Sequence, residues 1–115
     1  MKSFAATLLG IDSGSVLMFS DFQNGGPMWT GEGEREARRH VRFSAAFAEA
    51  PTVILGLSLW DMDRRTNLRA DLTAETVLSD GFDIVFRTWG DTRVARIRVD
   101  WTALGPRFDP EMWTL

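Results

Sequence analysis

The stretch from Gly81 to Trp101, GFDIVFRTWGDTRVARIRVDW, constrains the fold more than any other part of the chain. In its first arm Phe82, Ile84, Phe86 and Thr88 fall on one face, with Asp83, Val85, Arg87 and Trp89 on the other. In its second arm Ala95, Ile97, Val99 and Trp101 share a face, opposite Val94, Arg96, Arg98 and Asp100. Side chains alternate across a pleated strand, so a period of two specifies half-buried β-structure. Gly90-Asp91, with Thr92 just after, supplies the reversal between the arms. The pattern predicts a β-hairpin with Trp89 at its tip. One face is apolar, and the other carries charges of both signs.

Further strands follow from the same period. Ser15–Phe19 is expected to be the first, after a turn at Asp12-Ser13-Gly14. Asp21–Glu36, rich in Gly, Asn and Pro, reads as a long loop that holds Trp29, Glu32 and Glu34; long loops in small domains often carry function. Arg38–Phe43 is a second strand. Thr52–Trp60 is apolar on both faces, which predicts a central strand or one covered by another subunit. A polar turn, Asp61–Asn67, leads to an alternating run, Leu68–Val77. Gly105-Pro106 marks a break before the tail, where Phe108 and Trp113 either dock on the body or fray. No amphipathic helical stretch of useful length appears. Six short strands separated by turn signals predict an all-β fold, a six-stranded antiparallel β-sandwich. We expect one domain over residues 1–115, with a core at about 14–105 and a C-terminal tail at 106–115.

Composition removes several function classes. The 115 residues carry a net charge of −3, which disfavours nucleic acid as a partner. There is no cysteine, hence no disulfide, thiolate nucleophile or thiolate metal site. His40 is the single histidine, so a zinc site is not expected. No apolar run is long enough to span a bilayer. Met1–Ile11 imitates a signal peptide, but its apolar part is short and Asp12 interrupts it; we read it as part of the mature chain. These features lean towards a cytoplasmic protein without naming a compartment.

Chemistry-bearing residues outside that pattern have ordinary readings. As a general base His40 would need Glu34 or Glu36 to orient it, and nothing in the sequence fixes that geometry; it reads as a solvated strand-edge histidine. Asp61-Met62-Asp63 lacks the rest of a calcium loop and reads as turn chemistry. No catalytic residue, metal ligand or cofactor is expected, and the chain does not read as an enzyme.

The ordered pieces Arg35-Glu36, Val41-Arg42-Phe43, Pro51-x-Val53, Leu59-Trp60-Asp61, Asn67-Leu68-Arg69, Gly81-Phe82, Thr88-Trp89 with Thr92-x-Val94, and Val99-x-Trp101 resemble the H-type lectin domain of snail agglutinins and discoidins. The resemblance covers roughly two thirds of the chain. It implies a six-stranded antiparallel sandwich, a trimer formed through sheet faces, and saccharide binding in clefts between protomers. Such a protein would be a homotrimer or hexamer, with a ligand of galactose or N-acetylgalactosamine type. By position, the family's sugar-binding carboxylate falls on Glu32, its arginine on Arg69 and its tryptophan on Trp89. Its histidine falls on Gly90 and its site tyrosine on Ala95, so two contacts to an N-acetylated sugar are missing. The snail lectins' disulfide has no counterpart.

These residue types suit sugars. A carboxylate accepts from adjacent hydroxyls, a guanidinium donates, and an indole covers the apolar face of a pyranose. Read alone, Trp89 is equally a tip residue covering a neighbouring strand, Arg69 a surface ion pair with Asp61, Asp63 or Asp71, and Glu32 a solvated loop charge. The implied trimer offers the charged strand faces, with Asp83, Arg87, Arg96 and Arg98, as an oligomer interface. Buried charges there would need partners on neighbouring copies.

Overall fold

The computed structural model describes residues 1–4 and 8–108. It contains β1 (Leu8–Ser20), a four-residue helix α1 (Pro27–Thr30), β2 (Arg35–Arg42), β3 (Thr52–Met62), β4 (Asp71–Glu75), β5 (Gly81–Thr88) and β6 (Val94–Arg107). The strands form two three-stranded antiparallel sheets, in the orders β1-β6-β3 and β2-β5-β4. This is the expected six-stranded all-β sandwich. Within it, α1 is a single turn inside the expected loop.

The two arms of Gly81–Trp101 do not pair as a hairpin. β5 is the central strand of one sheet and β6 the central strand of the other. Their apolar faces meet across the core: Phe82 contacts Trp101 nearly edge-on, with ring centroids 5.6 Å apart. Alternation assigned most inward side chains correctly; Val94, expected on the charged face, is instead buried in the core, beside the register irregularity between Asp61 and Met62. Phe82, Ile84, Phe86, Ile97, Val99 and Trp101 all belong to the buried cluster. Laterally, β5 pairs with β2 and β4, and β6 with β1 and β3, so the Trp89–Arg93 connection is a crossover between sheets.

Other elements depart from expectation: β2 begins at Arg35 and not Arg38, and β4 spans Asp71–Glu75 and not Leu68–Val77. β1 starts at Leu8 and runs through Asp12-Ser13-Gly14, because Asp12 is held as a strand residue: its carboxylate accepts from the backbone N–H (2.8 Å) and hydroxyl (3.0 Å) of Ser44. Those bonds hold the Asp12 carboxyl below its usual range, the Ser44 backbone bond contributing most. Gly14 is needed there for a different reason, since a Cβ would come within 2.7 Å of the Trp101 indole nitrogen. β6 continues through Gly105-Pro106 to Arg107, where a break was expected. β3 is an edge strand, not a central one. Ile54, outward opposite Thr102, is 60% exposed; Trp60, moved onto the face of Ile97 by the irregularity between Leu57 and Leu59, is 61% exposed at this edge. Trp113 lies outside the described residues.

Candidate functional site

The crossover is fixed from three directions. Thr88 donates its hydroxyl proton to the Arg69 carbonyl (2.6 Å), and Thr92 donates to the Asn67 carbonyl. The Thr92 hydroxyl in turn accepts from the Arg69 N–H at 3.2 Å. Both threonines are buried, so each hydroxyl needs such a partner. Asn67 donates its amide to Asp91 at 3.1 Å. The Asp91 carboxyl lies below its ordinary range, chiefly because of the Asn67 bonds. The segment 66–69 is therefore strapped along the crossover, which brings Arg69 to the tip.

Gly90 stands at the centre of that tip. Its φ of +68° lies in the left-handed region that favours glycine. Its carbonyl accepts from the Gly33 N–H at 2.9 Å and from the Arg35 guanidinium at 3.2 Å. Arg35 also binds the Gly33 carbonyl (3.0 Å) and the Met28 carbonyl (3.1 Å), tying α1 and the Glu32 loop to the crossover. Arg69 lies beside Gly90 and donates to Asp91 at 2.7 Å. Its ion-pair partner is thus Asp91, and not Asp61, Asp63 or Asp71.

The residues read as a sugar site are therefore drawn together through backbone. Trp89 and Gly90 are adjacent, Arg69 abuts Gly90, and Glu32 precedes the residue hydrogen-bonded to Gly90. Trp89 is 42% exposed. Ala95, the position of the expected tyrosine, is only 6% exposed, and its carbonyl accepts from Asp21.

An open cleft of about 530 Å³ lies beside the tip, on the outer face of the β2-β5-β4 sheet, with Glu34, Glu36, Asp71, Arg87 and Trp89 in its wall. Of the four residues expected at the sugar site, Trp89 lines it; Glu32, Arg69 and Gly90 do not. Sequence reasoning passed over Glu34, Glu36 and Asp71 as site residues. For Glu36 and Asp71 the signal available was their register opposite Arg87, which becomes legible only once β2, β5 and β4 are known to be neighbours.

The charged face of that sheet is paired within the protomer. Arg87 reaches Glu75 at 2.8 Å and Glu36 at 3.0 Å; Arg38 reaches Asp83 at 3.1 Å and Glu75 at 3.3 Å. Arg87 chiefly, aided by Thr73 and Arg38, lowers the Glu75 carboxyl to about 2. Val85 lies fully buried on this outer face, among these charges. His40 sits 2.8 Å from Asp83, with neither Glu34 nor Glu36 orienting it. On the other sheet, Arg96 pairs with Asp61 at 3.0 Å, while Arg98 donates to the hydroxyl and carbonyl of Ser58 (2.9 and 3.3 Å).

Asp63 is engaged by Arg65, whose side-chain hydrogen bond does most to bring its carboxyl down to about 2. Trp29 packs edge-on against Phe22 and under Arg93, whose guanidinium lies 4.7 Å from its ring centroid. Among the described residues no cluster of three or more potential ligands gathers for a metal, and no helix is long and apolar enough to cross a membrane.

A six-stranded, two-sheet antiparallel sandwich of this topology has the fold of a lectin-like β-domain. The model of the H-type lectin domain matches residues 38–104, more than half of the chain, and the chain belongs to that family. The match takes in Arg69, Trp89 and Gly90 and stops short of Glu32. A protein of Fuscovulum blasticum named "ATP synthase subunits region ORF 7" is 52% identical over 107 residues, 93% of each chain. Discoidin-1 of Dictyostelium discoideum is 36% identical over 75 residues, 64% of this chain but 30% of that protein. The solved structure of recombinant discoidin II from the same organism superposes with a TM-score of 0.75 at 24% identity, covering 91% of this chain and 40% of that one; this likeness concerns the fold.

Proposed function

We propose that this chain binds saccharides noncovalently, without turnover, and that residues 1–115 act as one such module. Membership of a lectin family supports carbohydrate binding in general terms and favours a non-enzymatic role. In this reading Glu32 and Arg69 orient the sugar, Trp89 covers its apolar face, Gly90 leaves room for Arg69 at the tip, and a neighbouring copy completes the cleft in a homotrimer or hexamer. The observation that carries the reading is the convergence on Gly90: one carbonyl gathers the Glu32 loop and Arg35, while Arg69 lies against the same residue.

With glycine and a buried alanine at two contact positions, binding should be weak, roughly −4 to −6 kcal/mol, between about millimolar and high micromolar. Galactose and N-acetylgalactosamine should differ by less than about tenfold, or roughly 1.4 kcal/mol. An NMR titration tests this: shifts should map to Glu32, Arg69 and Trp89, and Arg69→Ala or Trp89→Ala should abolish them. Affinity unchanged in both variants would place the site elsewhere.

A second reading has its own support. The Arg69 guanidinium is already engaged by Asp91, and Gly90 and Ala95 offer no polar side chain. Such a protein keeps the trimer as a structural or interaction module without sugar. A glycan array without a single response would select it.

A further inference from the structure

We propose that the cleft beside Trp89 selects a positively charged saccharide, a hexosamine with a free 2-amino group, over its neutral or N-acetylated counterparts. This rests on the saccharide-binding reading and narrows it to a ligand class.

Charge and aromatic surface meet in one cleft. On the outer face of the β2-β5-β4 sheet, Glu36, Asp71, Glu75 and Asp83 face the Arg38 and Arg87 guanidinium groups, with His40 also bonded to Asp83. Arg87 is spent on Glu75 and Glu36, leaving Asp71 4.0 Å away. Glu34, at the rim, adds a further carboxylate and has no hydrogen-bond or ion-pair partner among the described residues. Arg35, the other cation in the wall, directs its three nitrogens to backbone carbonyls. The wall thus holds three carboxylates, Glu34, Glu36 and Asp71, against two guanidiniums, Arg35 and Arg87; it carries one net negative charge, and the Arg35 donors are already committed to backbone.

Independently, Trp89 presents a half-exposed indole to the same space. An indole face beside carboxylates recognises an ammonium on an apolar ring: the ring covers the C–H patch and attracts the cation, and the carboxylates take its protons. Acetylation removes the charge. A neutral hydroxyl in its place gains nothing from the field of the face.

Calorimetric titration of matched pairs tests the idea: galactosamine against galactose and N-acetylgalactosamine, and glucosamine against glucose. Measurements belong at about pH 6, below the roughly 7.7–8.0 of an ordinary α-amino group. The amino sugar should bind about three- to fivefold more tightly than its neutral partner at low salt, as expected for one half-exposed ion pair. That advantage should shrink as the Debye length falls to about 3 Å near 1 M salt. Glu34→Gln should narrow the gap, and Trp89→Ala should remove amino-sugar binding. Neutral sugars binding as well as amino sugars would overturn the inference while leaving saccharide binding intact. A preference that survives both variants unchanged would overturn the assignment to this cleft. No binding by any of the five sugars would overturn both readings.

Discussion

The Arg69 guanidinium stands 2.7 Å from the Asp91 carboxylate, on the side of Gly90 where a Cβ would approach it to 3.0 Å. The absence of a side chain at Gly90 is what lets this pair close over the crossover. Gly90→Ala should therefore act twice, through a left-handed φ that costs an L-residue about 1–2 kcal/mol and through displacement of Arg69. A urea melt should show the destabilisation. Wild-type stability in that variant would mean that the tip relaxes freely and that Gly90 does not hold Arg69 in place.

The two candidate tryptophans should separate cleanly by burial. Trp101 is 7% exposed and packs against Phe43 and Phe82, so Trp101→Ala opens a core cavity worth about 3–5 kcal/mol. Trp89 is half-exposed, and Trp89→Ala should cost less. Denaturation midpoints in the reverse order would contradict the assignment of faces.

Stability should decline in acid, and Glu75 should contribute to the decline. Its carboxyl is lowered in the folded state from about 4.5 to about 2, mainly by Arg87. A depressed carboxylate stabilises the fold above its unfolded value, and that contribution drains away as pH falls through the folded one. Asp83, lowered chiefly by its bond to His40, acts in the same direction. Thermal melts between about pH 5 and pH 2 should drop steadily. Glu75→Gln should flatten this drop; an identical slope in that variant would remove Glu75 from the account.

Assembly is expected to use the outer face of the β1-β6-β3 sheet, where Leu17 and Ile54 stand exposed and Arg98 donates to Ser58 near the Asp100 carboxylate. Sedimentation at micromolar concentration should give a trimer, and Arg98→Ala should weaken it. Monomer throughout would rule out this interface. A fully assembled Arg98→Ala variant would return Arg98 to solvent.

Much of the core was legible in the sequence, because strand period alone decides which side chains point inward. Phe82, Ile84, Ile97 and Trp101 followed from it. Period does not say which strand lies alongside, so two arms joined by a short turn looked like a hairpin when they belong to opposing sheets. β3 misled for a related reason. Its apolar character on both faces predicted a central strand or one covered by another subunit; β3 is an edge strand, and a bulge between Leu57 and Leu59 breaks the alternation, so Ile54 faces outward while Trp60 shares the face of Ile97. Within the candidate site, Arg69, Trp89 and Gly90 could be placed from motif order. The acidic wall could not, since Glu36, Asp71 and Arg87 come from three strands whose register no local pattern records. Asp83 and Arg87 were expected to seek partners on other copies for the same reason; their partners are on β2 and β4.

Leu8 pairs with Arg107, so the sheet is entered and left at one pole, while the crossover that carries Trp89 caps the other. β6 runs fourteen residues between them, roughly 45 Å at about 3.3 Å per residue. The Leu8 start of β1 and the Arg107 end of β6 therefore lie together at the pole distant from the cleft. Copies held at that pole would all present Trp89 outward, an arrangement in which weak sites at the tip would act together through multivalency.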